Sequence, residues 1–416
     1  MIYFLLPKTY LYSYKHLHYT SCNEPPVPHI SSSLSHYLCD IKKKINDYPK
    51  DWDIYKKYTN PYEYIHTNII NKKKSVADIK PLSRSYFKMI EMVQLFKLLD
   101  FTTEITMSKI SNNEPKYLLK PQSIPIKTFH LAEGPGGFIE AVSHLRKKPQ
   151  DIYVGMTILD DANDFNIPAW KKSNSFLSEN PNVIIETGAD GTGNILSLSN
   201  FEFCKAKYKS SMDLITADGG FDFSFDFNNQ EISVVKLLFA QIVYALCMQK
   251  KGGHFVLKIF DSFIIHTIEL LYLLSSFYDK VYITKPQTSR YANSEKYIVC
   301  KNFLFGSCDE FYPFLYRAFE KMMDNNEYSN RFLNISISNY FLSKIEEYNS
   351  IFGQQQIENI YYTISLMDTK YKSEKINNLI KLNIQKSIHW CIKHNIPYNM
   401  VANKSNVFLN DISTFI

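Results

Sequence analysis

HLAEGPGGFIEAV, from His130 to Val142, carries three glycines and one proline between two apolar stretches. A short apolar run, KTFHLAE, leads into its glycines, and a stretch with helical spacing, GFIEAVSHLRKK, follows them. This order predicts a strand, a tight turn and a helix. Glycines let a backbone turn sharply and let a ligand approach it closely. Because ligands bind outside the carboxyl ends of strands in open parallel sheets, the turn is a candidate binding loop. An ordinary tight turn is the alternative.

The same alternation of short apolar runs and helical stretches continues to about residue 306. The predicted strands are KTFHLAE, DIYVGMTIL, NVIIETG, MDLITADGG, GGHFVLKIF, KVYITKP and EKYIVCKNF. Alternating strands and helices predict an α/β fold with a mostly parallel, seven-stranded sheet. QTSRYANS, between the last two strands, is too short for a helix, so we expect the last strand to be antiparallel.

Composition narrows the class of protein without naming a function. The 416 residues are 45% apolar, and the net charge of +6 permits a nucleic-acid partner without requiring one. The seven cysteines are scattered and include no Cys-x-x-Cys pair, which predicts buried thiols in a reducing compartment and no zinc site. MIYFLLPKTYLY is too short to span a bilayer and is a poor signal peptide. We therefore expect a soluble, cytoplasmic protein without a membrane partner.

Three segments are predicted along the chain. Residues 1–75 read as an irregular N-terminal extension, in which the basic and aromatic stretch WDIYKKYTNPYEYIHTNIINKKK either guides RNA or is a solvated face. Residues 76–306 form the α/β domain, which opens on an amphipathic helix in SRSYFKMIEMVQLFKLLDF. Residues 307–416 form a polar, helical C-terminal extension.

The glycine turn discriminates between kinds of ligand. The phosphate-loop pattern Gly-x-x-x-x-Gly-Lys-Ser/Thr is absent, and the dinucleotide pattern fails because Ile139 stands where the third glycine belongs. Glu133 would be unfavourable beside a pyrophosphate, but it suits the ammonium or sulfonium group of S-adenosylmethionine. The turn therefore favours that cofactor.

Four further stretches strengthen this interpretation: SRSYFKMIEM, MDLITADGG, GGHFVLKIF and TSRYANSEKYIVC. With the glycine turn, they resemble the FtsJ-like family of RNA ribose 2′-O-methyltransferases, and within it the mRNA cap methyltransferases of eukaryotes and large DNA viruses. The resemblance covers roughly Ser83 to Asn302. It implies a Rossmann-like methyltransferase fold and a Lys-Asp-Lys-Glu tetrad, which falls on Lys88, Asp218, Lys258 and Glu295.

The resemblance also implies cofactor contacts. These fall on Glu133, Gly134, Pro135, Gly136, Gly137, Phe138 and Asp218. An acidic residue after the second strand of such folds commonly binds the ribose hydroxyls, and Asp160 or Asp161 stands there. Asp190, after the third strand, is either a contact on the adenine side or a turn aspartate.

Methyl transfer to a 2′-hydroxyl requires a base, because that hydroxyl is a poor nucleophile near neutral pH. The implied roles are Lys258 as base, Lys88 as a neighbouring charge that holds the hydroxyl, Asp218 as the group that orients Lys258, and Glu295 as an orienting group for a lysine. The displacement needs no metal.

RNA has to reach this tetrad. Arg84, Lys285, Ser289 and Arg290 flank it in the sequence and are candidate RNA contacts. We expect a cap-1 2′-O-methyltransferase acting on 5′-capped mRNA, with capping or transcription machinery as possible partners. A ribosomal or transfer RNA 2′-O-methyltransferase and a catalytically inactive RNA-binding scaffold are the alternatives. Residue usage and the resemblance together suggest a large DNA virus.

Overall fold

The computed structural model describes residues 1–11, 13–70, 72–101, 124–159, 169–220, 228–324, 326–369 and 372–399. The strands in these ranges are β1 (Ile2–Leu5), β2 (Leu17–Cys22), β3 (Lys127–Leu131), β4 (Ile152–Met156), β5 (Val183–Glu186), β6 (Met212–Ala217), β7 (Gln249–Ile259), β8 (Tyr278–Lys285), β9 (Lys296–Phe303) and β10 (Tyr328–Leu333).

The α-helices in the described ranges are α1 (Ser32–Lys43), α2 (Trp52–Thr59), α3 (Ser85–Phe96), α4 (Gly137–Arg146), α5 (Asn174–Glu179), α6 (Leu198–Tyr208), α7 (Gln230–Ser233), α8 (Val235–Met248), α9 (Ile265–Phe277), α10 (Tyr312–Asp324), α11 (Asn339–Asp368) and α12 (Lys372–Lys393). Short 3₁₀ turns occupy Tyr14–His16, Lys44–Asp47 and Glu63–Ile65. Among these helices, none combines the length and the apolar character needed to cross a bilayer.

In the described part of the chain the central sheet has eight strands in the order β1-β8-β9-β7-β6-β3-β4-β5. Five neighbouring strands pair in parallel, in the spatial order β5-β4-β3-β6-β7. Strand β9 runs antiparallel to both β7 and β8. The predicted fold class and the antiparallel last strand are therefore confirmed. The expected seven strands become eight because Ile2–Leu5 pairs antiparallel with β8 at the edge.

Helices cover both faces of the sheet, which explains why its central strands are apolar throughout. All six residues of β6 are buried, as expected for a parallel strand covered on both sides. Neighbouring residues of β6 enter different cores: Leu214 packs with residues of α3, α4 and α12, and Ile215 packs with residues of α8 and α9. The sheet edge at the carboxyl ends of the strands is thus held between two packed layers.

The two terminal extensions are integrated into this core. Residues 1–75, predicted to be irregular, contain α1, α2 and two strands, and that prediction was wrong. Periodicity missed the strands because β1 and β2 are completed only by β8 and β10, which come more than 250 residues later. Within residues 307–399, the part of the C-terminal extension that the structure describes with short gaps, the chain is largely helical as predicted, apart from β10, and Trp390 packs edge-on against Phe87 of α3.

Candidate active site

The four residues of the predicted tetrad come together at one edge of the sheet. Asp218 follows β6, Lys258 is the penultimate residue of β7, and both strands are parallel. Glu295 directly precedes β9, whose antiparallel direction brings its first residues to the same edge. Lys88 reaches this edge from α3. The four side chains are 12–16% exposed, so each is largely desolvated but open to a ligand.

Lys88 is bound by a carboxylate. Its Nζ lies 2.7 Å from Oε1 and 2.8 Å from Oε2 of Glu295. Ser289 donates a further hydrogen bond of 2.7 Å to Glu295 Oε1. Burial alone would raise the pKa of Glu295, but the Lys88 and Lys258 ammonium groups outweigh it and lower that pKa to about 2. Glu295 is therefore ionised at neutral pH and holds Lys88 in place.

Lys258 has a different environment. Its Nζ donates a hydrogen bond of 2.6 Å to the main-chain carbonyl oxygen of Asp218 and lies 3.3 Å from Asp218 Oδ1. A β-carbon added to Gly220 would lie only 3.2 Å from this Nζ. Gly220, two residues after Asp218, thus leaves room for the end of Lys258.

Tyr297 also belongs to this cluster, and sequence reasoning missed it. Its hydroxyl donates a hydrogen bond of 2.8 Å to Asp218 Oδ1, and the centre of its ring lies 5.8 Å from Lys88 Nζ. A signal was present, because Tyr297 lies two residues after Glu295 and alternate residues of a strand share one face.

Glu133 closes the glycine turn at the start of α4. Its Oε1 accepts hydrogen bonds from the N–H groups of Phe138, at 2.7 Å, and Ile139, at 2.9 Å. Its Oε2 is buried and has no hydrogen-bond partner among the described residues. Burial raises the pKa of Glu133 to about 8, and the nearby Asp218 carboxylate acts in the same direction. One oxygen therefore supports the turn, and the other is available to a cationic group.

Packing against the protein itself requires glycine in this turn. A β-carbon on Gly134 would lie 2.6 Å from the carbonyl oxygen of Ala169, and one on Gly137 would lie 2.1 Å from Ser83 Oγ. Gly136 has a φ of +112°, a conformation that favours glycine. The Phe138 ring is fully buried in the core, so only its main chain faces the turn. The close packing at Gly137 places the start of α3, and with it Lys88, beside the turn.

The remaining cofactor candidates are the acidic residues after the second and third predicted strands, and the structure does not link them to a ligand. Asp160 and Asp161 lie outside the described residues. Asp190 is exposed, and its Oδ1 accepts hydrogen bonds from the N–H and hydroxyl of Thr192, at 2.9 and 2.7 Å, and from Asn200, at 2.8 Å. These contacts are those of a turn aspartate, one of the two roles that the sequence left open, and the adenine contact stays a prediction.

The candidate RNA contacts divide into two pairs. Arg84 and Arg290 both bind the fully buried Glu63, each at 2.7 Å, and their side chains are 18% and 29% exposed. Sequence reasoning missed Glu63, because nothing local in NPYEYI marks a partner more than 200 residues away. The two arginines are held together near the tetrad and keep part of their surface open.

Lys285 and Ser289 are instead buried. Lys285 Nζ donates to the main-chain oxygens of Asn293, at 2.5 Å, and Glu295, at 2.8 Å. Burial and the neighbouring Lys296 lower the pKa of Lys285 to about 7. With the Ser289 hydrogen bond described above, these contacts hold the loop that carries Glu295. Their predicted role in RNA binding is not tested by this geometry, but the contacts identify a supporting role.

A cavity of about 590 Å³ lies away from these groups, beside α3, α4 and α5. Tyr86, Glu140, His144 and Phe176 are among its lining residues, and no tetrad residue lines it. The candidate active site rests on the tetrad and the glycine turn, not on this cavity.

Comparison with known proteins agrees with the geometry. The model of the FtsJ-like methyltransferase family matches residues 81–303. Cap-specific mRNA (nucleoside-2′-O-)-methyltransferase 1 of Mus musculus is 35% identical over 257 residues, which are 60% of this chain and 28% of that protein. Cap-specific mRNA (nucleoside-2′-O-)-methyltransferase 2 of Drosophila melanogaster is 28% identical over 291 residues, which are 65% and 36% of the two chains.

The chain therefore spans only about a third of the length of these relatives. Both relatives are eukaryotic, and the viral origin suggested by residue usage together with the resemblance stays a prediction. Among solved structures, a ribosomal RNA methyltransferase from Plasmodium falciparum is similar with a TM-score of 0.35 and 19% identity, over 54% of this chain and 98% of that one.

Proposed function

The chain belongs to the FtsJ-like methyltransferase family, and on that premise we propose that it methylates the ribose 2′-hydroxyl of RNA and forms cap-1 on capped mRNA. The observation that carries the proposal is the pairing of Lys88 with Glu295 and of Lys258 with Asp218 at one sheet edge. Two lysines and two carboxylates delivered there by four separate segments make a site for removing a proton, and an inactive scaffold would have no physical need of them.

The proton of the 2′-hydroxyl would move from its oxygen to Lys258 Nζ. Asp218 positions that nitrogen through its main-chain oxygen and its carboxylate. The Lys88 ammonium group, fixed by Glu295, would stabilise the negative charge that develops on the ribose oxygen. Removing the proton makes the oxygen a competent nucleophile, whereas the neutral hydroxyl is a poor one.

S-adenosylmethionine, when bound, supplies a methyl group that the positive charge on sulfur has already activated. The residues of the glycine turn fit this ligand. Glu133 Oε2 is a buried carboxylate oxygen without a partner among the described residues, and a ligand with ammonium and sulfonium groups would satisfy it. The turn follows β3 at the edge where parallel α/β sheets bind ligands. Glu133 and the main chain of Gly134 to Phe138 would hold the cofactor, with Asp160 as the proposed ribose contact.

Capped mRNA is the proposed substrate because both relatives described above are named as cap-specific mRNA methyltransferases. Arg84 and Arg290 offer paired guanidinium groups to phosphates near the tetrad. We also propose a cytoplasmic location, in keeping with the seven cysteines, all of which are free thiols.

The test is methyl transfer from radiolabelled S-adenosylmethionine to four RNAs of one sequence. Three carry an N7-methylguanosine cap, an unmethylated guanosine cap or no cap, and the fourth is capped but already 2′-O-methylated at its first nucleotide. We expect transfer to the first RNA, none to the fourth, and its loss with Lys258→Ala. Equal transfer to uncapped RNA would reassign the enzyme to ribosomal or transfer RNA, and no transfer to any RNA would favour a scaffold.

A further inference from the structure

We propose that Tyr297 is a positioning residue for Lys258. Its hydroxyl holds the Asp218 carboxylate and takes up part of that group's negative charge, so that Lys258 gives up its proton more readily. The catalytic meaning of this role rests on the proposed function, but the interaction itself does not.

The geometry places Tyr297 and Lys258 on the same oxygen atom. Asp218 Oδ1 lies 2.8 Å from the Tyr297 hydroxyl and 3.3 Å from Lys258 Nζ. Tyr297 and Lys258 are directly paired residues of β9 and β7, so the sheet fixes their separation. The Tyr297 side chain is fully buried and cannot exchange this partner for water without disturbing the core.

Tyr297 can act only as a donor in this hydrogen bond. Burial, with the Asp218 and Glu295 carboxylates, raises the pKa of Tyr297 well above its usual range. The hydroxyl therefore keeps its proton at neutral pH, and the negative charge stays on Asp218. A carboxylate oxygen that accepts a short hydrogen bond offers less charge to an ammonium group beside it. The Tyr297 hydroxyl is within ordinary hydrogen-bond distance of Oδ1, whereas Lys258 Nζ, at 3.3 Å, lies farther from the same oxygen.

Charged groups on the neighbouring elements also act on Lys258. Asp218 follows β6, Glu295 precedes β9, Lys88 lies on α3 and Glu133 follows β3. Removing only the Tyr297 hydroxyl leaves all of these charges in place. Asp218 Oδ1 would then lose its hydrogen bond from Tyr297 and would bind the Lys258 ammonium group more strongly.

The direct test is a titration of Lys258 followed by nuclear magnetic resonance of lysine labelled with carbon-13 at the ε position, with the signal assigned from Lys258→Arg. In Tyr297→Phe, Lys258 should lose its proton at higher pH than in the parent. Tyr153→Phe is the matched control, because Tyr153 is a buried tyrosine that donates a 3.0 Å hydrogen bond to Asp151, in a pair outside the tetrad. An unchanged or lowered midpoint in Tyr297→Phe would overturn the proposal.

Fluorotyrosine at position 297, a stronger donor, should move the Lys258 midpoint in the opposite direction. This substitution keeps the proposal testable if Tyr297→Phe does not fold, because a Lys258 midpoint in the fluorotyrosine protein equal to that of the parent would contradict the proposal. The rate of single-turnover methyl transfer should decrease from the fluorotyrosine protein to the parent and from the parent to Tyr297→Phe. At pH values below the midpoint, each unit by which the midpoint rises lowers the neutral fraction of Lys258 about tenfold, and the Tyr297→Phe rate should recover at high pH. If the parent transfers no methyl group, the proposed function fails, while the titration still decides the role of Tyr297.

Discussion

Lys258 Nζ is closest to a neutral partner, the main-chain carbonyl oxygen of Asp218 at 2.6 Å, and lies farther, at 3.3 Å, from the carboxylate of the same residue. Lys88 Nζ, in contrast, lies within 2.8 Å of both carboxylate oxygens of Glu295. A two-oxygen ion pair favours the charged form of a lysine more than a carbonyl contact does. In the proposed mechanism this difference in contacts corresponds to two roles, proton acceptor for Lys258 and fixed charge for Lys88.

The first prediction separates these tasks. Lys258→Ala should lower the rate of single-turnover methyl transfer by about 10²- to 10⁴-fold, the size of a general-base contribution. Lys258→Arg should do no better, because arginine keeps its proton near neutral pH. Lys88→Arg should retain more activity, because arginine can still pair with Glu295. All three variants should bind S-adenosylhomocysteine in calorimetry, which controls for folding. A Lys258→Arg variant that works at the parent rate would remove Lys258 as the base.

The second prediction concerns the contact between the glycine turn and α3. Gly137→Ala places a β-carbon against Ser83 Oγ and Ser85 Oγ, which would both have to rotate away, and 3.1 Å from the main-chain nitrogen of Tyr86, which is held in α3. Overpacking of this kind costs about 1–3 kcal/mol, more than the roughly 0.5–1 kcal/mol that alanine gains over glycine in a helix. The free energy of unfolding in urea should therefore fall, and methyl transfer should fall with it because Lys88 lies on α3. Gly306→Ala is the control, since no atom lies within 4 Å of its new β-carbon, and an equal loss there would contradict the packing argument.

The tetrad could be predicted because each member lies beside a strand or helix with a strong local pattern. Asp218 and Lys258 stand at the ends of apolar runs, and parallel strands bring their carboxyl ends to one edge. The same reasoning could not find the partner of Arg290, because Glu63 lies 227 residues earlier and no periodic signal connects the two. Pairings of this kind are decided by the packing of the whole chain.

Lys285 and Ser289 illustrate a second limit of the sequence. Both residues lie close to the tetrad motif in the sequence, but closeness in sequence does not tell which way a side chain points. Both turn inward and bond to Asn293 or Glu295. The edge strand β1 was missed for a related reason, since four residues at the N-terminus carry too short a pattern to predict pairing with β8.

The third prediction concerns the path of the RNA. If Arg290 contacts a phosphate, Arg290→Ala should reduce the slope of log affinity against log salt concentration by about 0.7 to 0.9, the value for one lost contact. Fluorescence anisotropy with a capped RNA at several salt concentrations measures this slope. Lys344→Ala is the control, because Lys344 is paired with Glu347 on α11, outside the tetrad segments. An unchanged slope and affinity in Arg290→Ala would exclude Arg290 from the RNA path, whatever its role in binding Glu63.

The last prediction follows from the unpartnered oxygen of Glu133. Burial raises the pKa of Glu133 to about 8, so the carboxyl group is mostly protonated at pH 7 in the ligand-free protein. A cationic ligand favours the carboxylate and lowers that pKa, so binding should release a proton. The release should be close to one proton per site at pH 6.5 to 7, should fall to about half a proton near pH 8 and should disappear about two pH units higher, where the free protein is fully ionised. Calorimetric titration with S-adenosylmethionine in phosphate and in Tris measures this proton release, since the two buffers differ in heat of ionisation.

The control variant is Glu133→Gln, which keeps an oxygen for the Phe138 and Ile139 N–H groups but has no proton to release. For this variant the binding heat near pH 7 should therefore be the same in the two buffers, which means that no proton is released on binding. The same proton release in Glu133→Gln as in the parent would show that another group titrates and that Glu133 does not face the cofactor.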